Sequence, residues 1–297
     1  MVTRRHALVA LALLPQAVNA QAADRDLRPR VVVGDDSVRT SEIMAALRRR
    51  YPALSIVGDP GELARPGQTI VAVGPAGLAQ ALKAPAGGGP LVSLFVSATD
   101  YDAARGSSPT RPITAIYAEA SPEAQLQLAA ALVGRRAKAA ALVSEAAQSR
   151  VPALRAASER AGIALDVLVV SDGDDPIRVL ARADPFAALI ALPDRSIYNP
   201  TTLRVLLEST YRRGTALVGF TASMVQAGAA GAPFANLDDT LTHLDELLLA
   251  IGSGRIPDPQ YPRYWRVVLN DSVVRSLGLN ADERVRSLGS RPAGVPR

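Results

Sequence analysis

Short apolar runs recur along the chain, separated by stretches where apolar side chains return every three or four positions. The runs at 31–33, 70–73, 91–96 and 113–117 form one series, and those at 140–143, 164–170, 187–192 and 216–220 a second. They are near-continuous in hydrophobicity instead of alternating, the pattern of parallel strands covered on both faces. Between them lie helix signals. Ser121-Pro122 places an N-cap before a proline at the first helical position, and Asn199-Pro200 repeats the device ahead of Leu203, Leu206, Leu207 and Tyr211. Gly214 suits a left-handed cap at the end of that helix. The longest helix starts near Asn236 or Asp238, carries Leu237, Leu241, Leu244, Leu248 and Ile251 on one stripe and stops at Gly252.

Strand and helix alternating in two series predict an α/β protein of two Rossmann-like lobes, each with a mostly parallel sheet. The break between them falls near residues 119–122. After Gly254 come Pro257, Pro259 and Pro262, then a strand-like 265–269 and a short helix over 271–277. A strand following a proline-rich crossing predicts a return to the second lobe. The expected division is 24–119 plus about 230–258 for the first lobe, 120–229 plus about 259–286 for the second, and a loose tail over 287–297.

Composition narrows the class. Hydrophobic residues make up 48% of the chain and charged ones 21%, which supports an ordinary buried core. The formal net charge of +5 rests on arginine, since Lys83 and Lys138 are the two lysines. The arginines are dispersed among Ala, Leu and acidic residues, and no nucleic-acid-binding signature accompanies them. At the N-terminus Arg4-Arg5 precede an apolar stretch over 7–14, Pro15, and the small-residue site Val18-Asn19-Ala20. That is the layout of a secretory leader over 1–20, too short to span a bilayer. Thr3-Arg4-Arg5 also resembles a twin-arginine signal, so the export route stays open. The expectation is a soluble periplasmic protein, monomeric and without nucleic-acid partners.

The chemistry at hand is narrow. Cysteine is absent and histidine occurs at His6 and His243 alone. Disulfides, thiol catalysis and thiolate metal sites are thereby excluded, and no hydrolase, Walker or dinucleotide motif is present. No catalytic residue, metal or cofactor is expected. Three acidic pairs remain. Asp238-Asp239 fits the start of a helix, where acids complement the dipole. Asp174-Asp175 fits a turn. Asp35-Asp36 directly follows the first strand.

That position matters because open α/β sheets bind ligands beyond the carboxyl ends of their strands. The residues gathered there are Asp35, Asp36 and Ser37; Gly74, Pro75 and Ala76; Ser97; Glu145; Asp194 and Tyr198; and Phe220. Small residues admit backbone amides to a ligand, Asp and Ser orient amines or hydroxyls, and aromatic rings cover apolar parts. These eleven are the expected ligand-binding set.

Ala191-Leu192-Pro193-Asp194, Asn199-Pro200, Tyr211-Arg212-Arg213-Gly214, Gly219-Phe220 and Ala227-Gly228-Ala229 resemble the ABC-transporter substrate-binding proteins of the tryptophan/tyrosine-type family. So do Val267-Val268-Leu269-Asn270 and Leu277-Gly278-Leu279. The resemblance is clear over the last half of the chain and is one of pattern over the first. It implies a type I periplasmic-binding-protein fold, two lobes joined by three crossings with the ligand between them. It further implies that the loops at Asp35, Pro75, Glu145, Asp194 and Phe220 face the cleft, and that the partner is an inner-membrane ABC permease. The family's opening glycine-aromatic stretch is missing, Leu279 is not followed by isoleucine-proline, and the loop after Val143 lacks asparagine-proline. The family name therefore does not carry an aromatic amino acid over as the ligand. Two other classes fit the same pattern: an exported α/β enzyme using Asp35 or Asp36 as acid or base, and an exported ligand sensor not coupled to transport.

Overall fold

The computed structural model describes residues 29–33, 37–57, 63, 67–84, 88–106 and 111–294. The leader expected over 1–20 and the pair Asp35-Asp36 lie outside them. Two sheets organise the chain. The first has strand order β2-β1-β3-β4-β5, built from β1 (Arg30–Val33), β2 (Ser55–Ile56), β3 (Ile70–Val73), β4 (Leu91–Val96) and β5 (Ile113–Tyr117), all parallel. Helices α1 (Val38–Arg50), α2 (Gly74–Leu82) and α3 (Ala98–Arg105) connect these strands.

The second sheet uses β6 (Lys138–Ser144), β7 (Ala164–Val170), β8 (Ala188–Ile190), β9 (Ala216–Val218), β10 (Gly231–Phe234), β11 (Trp265–Leu269) and β12 (Gly289–Ser290). Its order is β12-β11-β10-β9-β8-β6-β7. From β10 to β7 it is parallel; β11 and β12 are antiparallel additions. Its helices are α4 (Pro122–Val133), α5 (Val151–Ala161), α6 (Pro176–Ala181), α7 (Pro200–Arg212) and α8 (Ala222–Ala227), with a 3-10 turn over Glu145–Arg150. After α9 (Leu237–Gly252) and β11 come two short helices, α10 (Asp271–Ser276) and α11 (Glu283–Arg286).

The continuous apolar strands are explained by cores on both faces of each sheet. In β1, β3 and β4 the residues Val31, Val71 and Val92 pack with α1 and α9, while their neighbours Val32, Ala72 and Leu91 pack on the opposite side with Leu78 and Ala81 of α2. The second sheet divides in the same way. Ala139, Ala141 and Val143 of β6 meet α4 and α5, and Ala140 and Leu142 meet the layer holding Leu180, Leu206 and Val225. Period-two side-chain alternation into two apolar layers is what a doubly covered sheet requires.

The leucine stripe of α9 belongs to the first sheet. Leu241, Leu244, Leu247, Leu248 and Ile251 join the cluster built on Val31 and Leu94. Three crossings therefore link the lobes: 118–121, 235–236 and 253–264. The third is tied to β5, the strand that runs into the first, because Gln260 N donates to Ala115 O at 3.0 Å and Gln260 O accepts from Tyr117 N at 3.0 Å.

Two boundaries move. Gly231–Phe234, expected with the first lobe, is a strand of the second sheet, in register with 266–269 of β11. The stretch after Ser287, expected to be loose, carries β12, which pairs Ser290 with Trp265 and Gly289 with Arg266. Arg291 Nη1 fixes it further by donating to Trp265 O at 2.8 Å. Among the described residues no helix is long and apolar enough to cross a membrane.

The proline-cap devices do what their sequence implies. Asn199 Oδ1 accepts from Thr201 N (3.1 Å) and Thr202 N (3.0 Å), satisfying two amides that the first turn of α7 leaves open. Asn199→Ala should cost about 1 kcal/mol, read as a lower urea midpoint at unchanged slope.

Candidate functional site

The outlets of β4, β5, β6 and β8 converge near the crossings. β4 ends irregularly, with its register against β5 shifting between Leu94 and Val96. Phe95 there sits at φ 59°, a left-handed conformation that side chains other than glycine adopt at a cost. The bulge delivers the chain to Ser97, which caps α3 by accepting from Asp100 N at 3.0 Å. β5 ends at Tyr117 and runs into the first crossing. From the second sheet, β6 ends in the 3-10 turn of Glu145–Arg150, and β8 ends in the Leu192-Pro193-Asp194 loop.

A cavity of about 290 Å³ lies where these segments converge. Its floor is the first crossing and the start of α4, with Glu119, Ser121 and Gln125. Leu142, Val143, Ala147, Val151, Leu154 and Leu192 give it an apolar wall from the second lobe. Thr99 from the first lobe, Tyr261 from the third crossing, and the charged residues Glu123, Arg150, Arg160 and Asp194 complete it.

Glu119 is the unusual member. It is 4% exposed, its Oε1 accepts from Ala98 N at 2.9 Å, and its Oε2 is buried without a hydrogen-bond partner. Burial raises its carboxyl to about 7, against the opposing pull of backbone hydrogen bonds and of Arg150. Asp194 behaves in the opposite sense. Burial pushes its carboxyl up, but hydrogen bonds from Ser144 and Ser196 more than offset this and hold it below the usual value. Its Oδ1 takes both the Ser196 N–H (3.0 Å) and hydroxyl (2.6 Å).

Arg150 and Arg160 are engaged by other acids: Arg150 pairs with Asp102 of α3, and Arg160 with Glu123 at 2.7 Å. The Arg150–Asp102 pair joins the two lobes, as does the longer contact of Arg195 with Asp100 at 3.8 Å. Both are exposed and contribute little stability by themselves, so neither locks the lobes together. Tyr261 is raised by burial and by Glu119, and stands edge-on to Tyr117 with ring centroids 5.0 Å apart. Beneath the cavity, Gln125 is 1% exposed and donates from Nε2 to Ala191 O (2.7 Å) and Gly219 O (3.0 Å). One helical side chain thus holds the outlets of β8 and β9 together.

Of the residues picked out at the strand ends, Asp194 lines this cavity. Pro75 lies instead in a more open recess of about 240 Å³ with Asp100 and Arg195, while Gly74 and Ala76 form the first turn of α2. Ser37 and Ser97 cap α1 and α3. Glu145 is exposed at the start of the 3-10 turn. Tyr198 is buried among Leu180, Leu206 and Leu217, donates to Ile190 O at 3.3 Å, and meets Phe220 edge-on at 6.4 Å. Asp35 and Asp36 lie outside the described residues. Glu119, Gln125, Arg150 and Tyr261 were not among the expected residues; the signal available for Glu119 was a lone acid between Ala118 and Ala120 just before a helix cap.

No protein-family model matches the chain, and no curated protein matches it in sequence. Solved structures do. One is the ligand-free, open structure of a substrate binding protein with adhesive properties from Clostridium difficile, 11% identical at a TM-score of 0.63, covering 88% of this chain and 97% of that one. A second is an ABC domain in complex with L-Trp from Streptococcus pneumonia, 14% identical at 0.56, covering 88% and 98%. A third is a conserved domain protein from Vibrio cholerae, 15% identical at 0.55, with the same coverage. At these identities the likeness is one of fold: two mostly parallel sheets with flanking helices, the type I periplasmic-binding-protein architecture.

Proposed function

We propose that this chain, built on the type I periplasmic-binding-protein fold, is the periplasmic solute-binding component of an ABC uptake transporter. It captures a small molecule between its lobes by hinge closure and hands it to an inner-membrane permease. The observation that carries the reading is the cavity at the crossings, to which both lobes and two crossings contribute residues. A ligand seated there touches the first lobe through Thr99 and the second through Asp194 and Leu154, so it favours the arrangement in which both walls meet it. The compared structures support the same reading, one holding L-Trp and another described as a substrate binding protein. Catalysis is not part of the proposal, and the competing enzyme reading rests on Asp35 and Asp36.

The test is a thermal-shift screen of the mature chain against amino acids, nucleosides, sugars and small acids. A true ligand at about 100 times its Kd should add about 2.7 kcal/mol of stability. It should also be recovered unchanged after incubation. Turnover of a hit would replace capture by catalysis. Co-purification with a permease from solubilised inner membrane checks the transport half of the proposal; recovery with a receptor in place of a permease would point to sensing.

A further inference from the structure

We propose that the cavity at the crossings selects a compact organic cation, a protonated amine on a short apolar body, through the carboxylate of Glu119. The proposal rests on the capture reading above and adds the chemical class of the solute. Charge accounting inside the cavity leads to it. The two guanidinium groups on its wall are already engaged, Arg150 by Asp102 and Arg160 by Glu123. Asp194 is held ionised by Ser144 and Ser196. What remains are two buried carboxylate oxygens without a hydrogen-bond partner, Oε2 of Glu119 and Oδ2 of Asp194, the first in a residue only 4% exposed. A neutral donor can satisfy the open lone pair of a buried carboxylate, but only a cation or a proton offsets its charge. An anionic guest would face both Glu119 and Asp194. The apolar wall of Leu142, Val143, Val151, Leu154 and Leu192 calls for a hydrocarbon body, and a volume of about 290 Å³ keeps it small.

The same geometry makes recognition proton-linked. The groups facing Glu119 are Asp100 on α3, Arg150 at the end of the 3-10 turn, and Tyr261 on the third crossing, which itself feels Asp102; Asp194 lines the same cavity. In the empty protein burial raises the Glu119 carboxyl to about 7, so near neutrality a large fraction carries a proton. An arriving ammonium takes the place of that proton, which leaves to solvent. Amine affinity should therefore be constant above about pH 7 and fall about tenfold per pH unit below it.

The experiment uses the mature chain with 3-phenylpropylamine, 3-phenylpropanol and 3-phenylpropionate as probes, by titration calorimetry at pH 5.5, 7 and 8. The expected result is binding of the amine in preference to the alcohol and the acid, with close to one proton released at pH 5.5. Glu119→Gln keeps a carbonyl oxygen for the Ala98 amide but removes the charge. It should weaken the amine at least about tenfold at pH 8 and abolish the pH dependence. The sign of its effect on folding separates recognition from structure. A carboxyl raised from 4.5 to about 7 is most stabilising when protonated, so the unliganded wild type loses stability as pH rises through this range. The variant should then melt at or above the wild-type temperature at pH 8. Equal or tighter binding of the alcohol or the acid overturns the proposal, as does an amine affinity within twofold in a folded Glu119→Gln chain. Should that variant not fold, the wild-type pH profile and proton count decide alone. If these amine-specific signs are absent but another solute of the wider screen binds, the capture reading stands and cation selection falls. If no probe of either set binds, both fall.

Discussion

Arg266→Leu is expected to destabilise the chain by about 3–5 kcal/mol, the largest single loss expected here. Asp239, on the first turn of α9, is 3% exposed and receives two hydrogen bonds from Arg266 of β11, Nε to Oδ2 at 2.7 Å and Nη2 to Oδ1 at 3.0 Å. Removing the guanidinium leaves a buried carboxylate with the Arg266 donors gone, and the cost of an unpaired buried charge exceeds what the pair contributes when whole. α9 packs on the first sheet while β11 lies in the second, so this fork also links the two lobes. Urea denaturation of Arg266→Leu, Asp239→Leu and the double variant measures the coupling. A double variant nearly as stable as wild type would show that the pair confers orientation more than stability; a single-variant loss under about 1 kcal/mol would show that water reaches Asp239.

Gln125→Leu should cost about 2–4 kcal/mol. The side chains are close in size, so the change removes two donors and leaves packing nearly intact. The carbonyls of Ala191 and Gly219 then lose their Gln125 donors, and an unsatisfied buried carbonyl costs about 1–3 kcal/mol. These are the residues immediately after β8 and β9, where the loops bearing Asp194 and Phe220 begin. The variant should therefore show a reduced urea midpoint and a weakened affinity for whichever solute the screen returns. A midpoint within about 0.5 kcal/mol of wild type would mean that cavity water replaces the amide.

Much of the architecture could be read from the order of residues alone, and the reasons are local. The runs at 31–33, 70–73 and 91–96 are apolar at every turn of the pleat but Ser93, and Ser121-Pro122 and Asn199-Pro200 mark helix starts by their own hydrogen-bonding chemistry. What escaped depends on distant partners. β10 contains Gly231 and Pro233, residues that argue against a strand interior. Gly231 is needed because a Cβ there would stand 2.7 Å from a Leu269 methyl and 3.1 Å from Val268 O. β12 exists because Arg291 and Ser290 find Trp265, twenty-five positions or more away in the chain.

The site divided along the same line. Choosing polar and aromatic residues beyond strand ends picked out Asp194, which lines the cavity at the crossings, but Tyr198 also follows a strand and turns inward to the Leu206 layer. Glu119 acquires its character from the Ala98 amide and from segments twenty or more residues away on either side, so Ala118-Glu119-Ala120 marks a lone acid before a helix cap without revealing that it is buried.

Trp265 is the chain's one tryptophan, and it stands where the third crossing enters β11, half-covered and bound to the final strand. Indole emission from this molecule thus originates at the joint itself, undiluted by reporters elsewhere in the fold. The closure proposed above can therefore be followed in real time without attaching a dye.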